Sequence, residues 1–506
     1  MTDVALRGTD ELLHEALQCH RLGRLDNATS LYRKALESDP TRADIAHLYG
    51  LAEVGRGEMA LGIQAMILSL HLKPGMAQTE HDLAAALLSV GQIDRAVEHF
   101  KQAVAIKPDF VEARINLASA LSSRDQPEAA VTELEAARAV APDDPLVLFR
   151  LGRARSALRD WDGAAEAFEA CLAIDPEHAD ARYYLADLQL TAGRFEAGWD
   201  SYEARWFRPK WATEPRPFEF RKWNGESLEG RTILAWGEQG VGEEILFSSM
   251  IPDLMDRAGH VLVECDPRLQ PLFERSFAGV ETVGRTYPSS PRTADPDIDV
   301  QSATGSLGRW LRVCASDFKS GAYLIADPEK SRQAGARYQA LGKGPAIGIA
   351  WRSVSALKDF ASYKSSPIEA WKPVLKRVDP VFVNLQYGDC AEALEYVERE
   401  WNIRVHVDSE VDQMISLDDF AAQIDALDLI ITTSNTTAHV AGALGKEVWV
   451  VLPVKAGWRW SRERTDSLWY PKARLFRQAP GEDWAMVLTS VGQALDEWRL
   501  QRGRDG

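Results

Sequence analysis

DFVEARINLASALSSRDQPEAAVTELEAARAVAP, residues 109–142, is one period of a repeat, and its closing proline sets the scale. Prolines stand at Pro40, Pro74, Pro108, Pro142 and Pro176, a constant interval of 34 residues. Three further rows keep the same phase. Small residues occupy Ala16, Gly50, Ala84, Ala118, Gly152 and Ala186, and again Ala28, Gly62, Ala96, Ala130, Ala164 and Gly198. Bulky knobs follow at Tyr32, Met66, Phe100, Leu134, Phe168 and Tyr202. A strict period of this length marks a helical solenoid, with small residues where paired helices approach closely. An ordinary helical bundle does not predict phase-locked prolines. The first two-fifths of the chain therefore reads as a surface for holding a partner, and any chemistry belongs to the remainder.

The phased rows resemble the tetratricopeptide repeat over roughly residues 8–205. The row expected on the concave face is His14, Leu48, Asp82, Asn116, Arg150 and Tyr184. Such a mixed row suits a particular protein partner gripped through its side chains.

A length of 506 residues predicts two or three domains, and 45% hydrophobic residues exclude wholesale disorder. The net charge of −17 disfavours nucleic acid or an anionic membrane as partner, while leaving room for a local basic pocket. Cys19, Cys171, Cys265, Cys314 and Cys390 are scattered and odd in number, without metal-ligand or redox spacing. That usage fits the reducing cytoplasm. Met1–Leu13 is polar and acidic and lacks the apolar core of a secretory signal. Apolar runs such as Val448–Val454 are too short to cross a bilayer. A cytoplasmic protein without membrane insertion is expected.

Residues 206–230, rich in aromatic residues and proline (Trp206, Phe207, Pro209, Trp211, Pro215, Pro217, Trp223), predict an ordered connector, since a flexible tether would be rich in Gly and Ser. Beyond it, short apolar runs alternate with helical stretches. Strands are expected at Thr232–Trp236, His260–Glu264, Ala346–Trp351, Val381–Leu385, Leu427–Thr432 and Val448–Leu452. Helices are expected over Glu243–Arg257, around Leu269–Phe277, and at Ser416–Ala426 and Asp483–Arg499. Strand–helix alternation implies parallel sheets covered by helices. The expected fold class is α plus α/β: a solenoid over 1–205, a connector over 206–230, and two Rossmann-like lobes over 231–330 and 345–506.

Two strand-to-helix turns could carry chemistry. In Trp236-Gly237-Glu238-Gln239-Gly240-Val241-Gly242-Glu243-Glu244, glycines such as Gly240 and Gly242 let backbone approach a ligand, and the helix start offers N–H groups to an anion. Tight turns explain those glycines equally well. Glu243 is either a reactive carboxylate or one favoured by the helix dipole. The second turn, Thr432-Thr433-Ser434-Asn435-Thr436-Thr437-Ala438-His439, holds more capping side chains than one cap requires, which favours a phosphate cradle. His439 has a purely structural alternative on the first helical turn. After the strand at 346–351 come Arg352, Ser353, Lys358 and Lys364, cations placed to face the same crevice. Gly457-Trp458-Arg459-Trp460 and Trp469-Tyr470-Pro471 suit either stacking on a base or sugar, or packing between lobes. Asp297-Ile298-Asp299 formally matches a metal-binding Asp-x-Asp string, but it lies in a proline-rich connection and such strings arise by chance. Zinc spacing, a Walker loop, a nucleophile elbow and a kinase signature set are missing from the sequence.

Gly237–Ile245, Asn384-Leu385-Gln386-Tyr387-Gly388-Asp389, Thr436–Gly445, Trp469-Tyr470-Pro471 and Asp483-Trp484 resemble bacterial tetratricopeptide proteins with a heptosyltransferase-like domain, over about residues 231–500. The layout is also similar to flagellin-modifying glycosyltransferases of α-proteobacteria and, more distantly, to O-linked N-acetylglucosamine transferase, whose inner asparagine ladder this chain lacks. The resemblance implies two lobes of the GT-B type, a nucleotide-sugar donor mainly on the C-terminal lobe, and transfer without a bound metal. It places Glu243 where the family has its general-base aspartate. Lys364 matches the lysine on donor phosphate. The implied donor-binding set is Lys364, Arg352, Gln386, Ser434, Asn435, Thr436, Thr437, His439, Gly240 and Gly242. Ser434-Asn435 replaces the usual Asp-Thr of the donor loop, which suits a more anionic donor such as a CMP-linked nonulosonic acid. The expected function is a cytoplasmic glycosyltransferase acting on Ser or Thr of a protein docked on the repeats, with flagellin as a candidate. The alternatives are transfer to lipopolysaccharide or surface polysaccharide, or a non-catalytic scaffold with a degenerate transferase lobe.

Overall fold

The computed structural model describes residues 8–208, 215–319, 321–353, 363–377 and 379–505, in two compact units divided between Leu185 and Ala186. In the first unit helices come in pairs, such as Ala43–Gly55 with Met59–Leu72 and Val111–Ser123 with Pro127–Val140. Helices that close a pair end at Ser38, Leu72, Ile106, Val140 and Ile174, two residues ahead of the phased prolines. A proline ring denies the helical conformation to the residue before it. Asp39 (φ −142°, ψ 93°) and Lys73 (φ −140°, ψ 96°) are extended accordingly. The small rows are contact rows: a Cβ on Gly50 would lie 2.7 Å from Met66 Cγ and 2.9 Å from the Gly62 carbonyl oxygen. Tyr32, Met66, Phe100 and Phe168 are fully buried knobs.

A polar chain links the opening helices of successive pairs. His47 Nε2 lies 2.8 Å from Asp82 Oδ2, His81 Nδ1 lies 2.9 Å from Asp82 Oδ1, and Asn116 Nδ2 lies 2.9 Å from His81 Nε2. Burial pushes the Asp82 carboxyl up, but the two imidazoles bonded to it win and hold it at about 2. Asp82 and Asn116 of the expected partner-facing row are thus tied to neighbouring repeats. Tyr184 stacks on Phe168.

The second unit holds two five-stranded sheets. The first contains β1 (Arg221–Lys222), β2 (Thr232–Trp236), β3 (His260–Cys265), β4 (Glu281–Gly284) and β5 (Val300–Ala303), in the order β1-β5-β2-β3-β4. The second contains β6 (Ala346–Ala350), β7 (Val381–Asn384), β8 (Leu429–Thr433), β9 (Val448–Leu452) and β10 (Ala473–Arg477), in the order β10-β9-β8-β6-β7. Every pairing between these strands is parallel. β6, β8 and β9 are buried along their whole length, as strands covered on both faces must be. The chain is therefore a helical array followed by α/β structure. Strand order reverses between β2 and β5 in one sheet and between β6 and β8 in the other, and open α/β sheets bind ligands at such points.

Several boundaries differ from expectation. The stretch Glu243–Arg257 is two helices, Val241–Ser248 and Ile251–Met255, the second with Pro252 in its first turn. The gap expected at 331–344 holds the helix Pro328–Gln339, which belongs with the second sheet: Tyr338 donates to Asp408 Oδ2 at 2.6 Å and Lys330 pairs with Asp418 at 2.8 Å. The second unit begins at Ala186, earlier than the expected boundary at 205. Trp199 Nε1 donates to the Arg312 carbonyl at 2.9 Å, and a Cβ on Gly308 would lie 2.6 Å from the Trp199 ring. The connector is ordered where described: Trp206 and Phe218 pack on Trp236, and Arg221–Lys222 pair with β5. Pro209 and Trp211 lie outside the described residues.

Candidate functional site

The reversal point of the first sheet is filled by its own side chains. Glu238, at the carboxyl end of β2, is fully buried and accepts two hydrogen bonds from Arg205, at 2.9 and 2.6 Å. It also accepts from the Gly305 N–H, in the 3-10 turn Thr304–Leu307 after β5, at 3.1 Å. Glu244 turns back under the loop, accepting from the Asp266 N–H at 2.8 Å and pairing with Arg285. Burial pushes its carboxyl up to about 7 despite Arg285. Gly237 makes room for it, since a Cβ there would lie 2.3 Å from Glu244 Oε2. Glu243 has the other orientation, toward the second sheet.

At the β6/β8 reversal, Gln386 Oε1 accepts the backbone N–H of Trp351 at 3.1 Å and of Arg352 at 2.8 Å. Asn435 Nδ2 donates to the Arg352 carbonyl at 3.2 Å, and its Oδ1 accepts from Ala438 N at 3.3 Å, capping the helix Thr436–Ala443. Ser434 Oγ accepts from Trp460 Nε1 at 2.8 Å, and Thr437 Oγ1 donates to the Leu385 carbonyl at 3.5 Å. His439 Nδ1 lies 2.8 Å from the Tyr470 hydroxyl, and its ring stacks on Trp460. A cradle built from all these side chains is therefore not what this turn forms. Ser434, Asn435, Thr437 and His439 are buried and bonded within the protein, while Thr436 stays partly open. Gln386 is likewise spent on the strand ends, and the Arg352 guanidinium folds onto the Asp389 carbonyl. Lys358 lies outside the described residues.

The two helix mouths meet. A Cβ on Gly242 would lie 3.0 Å from His439 Cδ2 and 3.7 Å from Thr436 Oγ1, and one on Gly240 would lie 3.3 Å from Glu243 Oε2. Arg459 Nη2 donates to Glu243 Oε1 at 2.7 Å, with its guanidinium 4.7 Å from the centre of the Trp458 ring. Trp458 N donates to Asp187 Oδ1 at 3.1 Å. Lys364 shares the field of Arg459, Glu243 and Asp187. Burial opposes ionisation of Glu243, but Arg459 leads the positive influences that hold its carboxyl below the ordinary value. For Asp187 burial prevails and its carboxyl is raised. Burial, joined by Arg459, brings Lys364 down to about 8. Burial drives His439 to about 3, so its ring is neutral at physiological pH. An ionised carboxylate, two cations and a helix N-terminus thus share one pocket of charge.

The aromatic residues belong to packing. Trp458, Trp460, Trp469 and Tyr470 are all buried, with Trp458 stacked on Phe247 at 6.1 Å. The Asp-x-Asp string is also structural, with Asp299 Oδ2 accepting from Thr232 N at 2.8 Å and Asp297 paired with Arg292 at 2.8 Å.

Residues 87–148 and 156–198 match the tetratricopeptide-repeat family, and residues 16–42 match a second tetratricopeptide-repeat description. The N-terminal region is a tetratricopeptide-repeat solenoid. Over 329 residues, 62% of its length, the chain is 33% identical to Protein FlbA of Caulobacter vibrioides. It spans about half of that curated relative, 54%. Solved structures similar to the chain include MamA protein (19% identity, 34% of this chain and 93% of that one, TM-score 0.32). Another is YrrB, described as a TPR protein with an unusual peptide-binding site (19% identity, 34% of this chain and 89% of that one, TM-score 0.32). No helix among the described residues is long and apolar enough to cross a membrane.

Sequence reading missed two members of the charge cluster. Arg459 lies in a Trp-Arg-Trp string, and a cation between two large apolar residues was a usable signal. Asp187 has none, because it sits on the helix Ala179–Thr191 where the period emphasises only small and bulky positions.

Proposed function

We propose that the chain is a glycosyltransferase that moves a sugar from a nucleotide-sugar donor to a Ser or Thr hydroxyl of a protein held by the tetratricopeptide solenoid, with flagellin the first acceptor to test. The observation that carries this reading is the meeting of Glu243, Arg459 and Lys364 at the mouth of the helix Thr436–Ala443. A helix N-terminus presents unpaired N–H groups and positive potential to a phosphate, and adjacent cations add charge-assisted hydrogen bonds. The filled reversal point of the first sheet favours the second sheet as the donor's seat. Asn435 in the donor loop brings no negative charge, which suits a CMP-linked nonulosonic acid as donor.

In the transfer step the acceptor hydroxyl oxygen bonds to the anomeric carbon while Glu243 takes the hydroxyl proton. The bond from that carbon to the phosphate oxygen breaks, and its electron pair stays with the nucleotide, whose charge the helix mouth, Lys364 and Arg459 meet. General-base help is worth about 10²–10⁴-fold in rate. Glu243→Gln should cost transfer that much, read by intact-mass analysis of the acceptor, while the nucleotide still binds. Near-normal turnover would remove Glu243 from this role. The burial of Ser434, Asn435, Thr437 and His439 favours a second reading, a scaffold whose α/β unit has lost catalysis. Wild-type protein that neither binds nor hydrolyses any sugar nucleotide would establish it.

A further inference from the structure

Building on the donor-site reading above, we infer that Arg459 has two stations, pairing with Glu243 when the site holds no anion and moving to the donor's phosphate when it does. Lys364 and Arg459 share the site with Glu243 and Asp187, while His439 is neutral. Burial raises the Asp187 carboxyl, so the ionised carboxylate set against the two cations is Glu243. An anion entering this cluster must compete with a carboxylate for a cation, and the arginine within hydrogen-bonding reach of Glu243 is Arg459. Asp187 is anchored differently, accepting from the Trp458 backbone N–H. Glu243 is thus a carboxylate with a side-chain partner that is able to leave.

The mounting of Arg459 suits such movement. Its guanidinium lies over the buried Trp458 ring, and a stacked planar cation can turn its N–H groups toward a new acceptor while keeping the ring beneath it. Glu243 stands in the first turn of Val241–Ser248, and Gly242 of that turn abuts the residues opening Thr436–Ala443. A phosphate at the second helix mouth is therefore within the small compass that a swing of Arg459 covers. The exchange has a chemical consequence. With Arg459 beside it Glu243 is a poor proton acceptor, and once Arg459 departs the carboxylate becomes more basic. The donor would arm the base, so the donor binds before the acceptor hydroxyl can react.

The test is titration calorimetry of the full chain with CMP, UDP and GDP, using wild type, Glu243→Gln, Arg459→Ala and the double variant. Thermal melts verify that each variant folds. Removing the competing carboxylate should tighten the binding nucleotide by about 5–10-fold. Arg459→Ala should weaken it at least as much, and in the double variant the gain from Glu243→Gln should vanish. Unchanged or weaker binding by folded Glu243→Gln, or a gain that persists without Arg459, overturns the exchange and leaves the donor site standing. Failure of wild type to bind any of the three overturns both.

Discussion

Gly23, Gly57, Gly91, Asp125, Arg159 and Gly193 share a left-handed backbone, with φ between 56° and 89°, and recur every 34 residues at the joints within the helix pairs. L-residues pay about 1–2 kcal/mol there, and glycine gives back part of that gain through its freer unfolded chain. Arg159→Gly and Asp125→Gly should each stabilise the first unit by about 0.5–1 kcal/mol, read as a rise in its calorimetric transition. A second residue-scale prediction concerns Lys364. Burial holds its ammonium near 8, so it is mostly charged at pH 7 and loses its proton as pH passes that value. Nucleotide affinity should fall between pH 7 and 9, and Lys364→Arg should flatten the fall. Single residues were legible unevenly. Glu243 and Lys364 stood out by position after a strand, and the structure brings them together. Ser434, Asn435 and Gln386 stood out equally, yet their polar atoms serve the fold, because residue type does not say which partner consumes a hydrogen bond.

For helices and strands, the capped turn after β8 makes the sharpest prediction. Asn435 both caps Thr436–Ala443 and ties it to the end of β6. Asn435→Ala should cost about 1–2 kcal/mol in thermal unfolding. Thr436→Ala should leave stability nearly unchanged and weaken nucleotide binding, since Thr436 is the partly open side chain of that turn. Elements were legible where burial imposes an apolar run. β2 and β9 fall at the expected residues. β5 was not foreseen, because Gln301 and Ser302 interrupt the run: Gln301 is buried to receive the Trp236 indole N–H at 2.7 Å. Nor was β1, whose two exposed residues carry no pattern at all. The helix expected over 243–257 overlooked Pro252, which can open a helix but cannot sit within one.

At the scale of the whole molecule, where the chain is cut decides what survives. The repeat pattern runs on to Tyr202, so sequence alone puts the boundary too late. Residues 186–205 carry Trp199 and Arg205, both built into the α/β unit. A fragment starting at 206 leaves Glu238 buried without its guanidinium, a loss worth about 3–5 kcal/mol. Expressed side by side, residues 186–506 should melt cooperatively, whereas residues 206–506 should unfold at lower temperature or aggregate. Arg205→Ala in the full chain should lower the transition of the second unit comparably. The constant left-handed joint also makes the array a kind of ruler. Every joint turns the chain the same way after the same count of residues, so a whole period can be spliced out or duplicated and the flanking ends still match. The length of the array is then adjusted by adding or dropping links, a change that insertions and deletions in a gene produce far more readily than a redesigned surface.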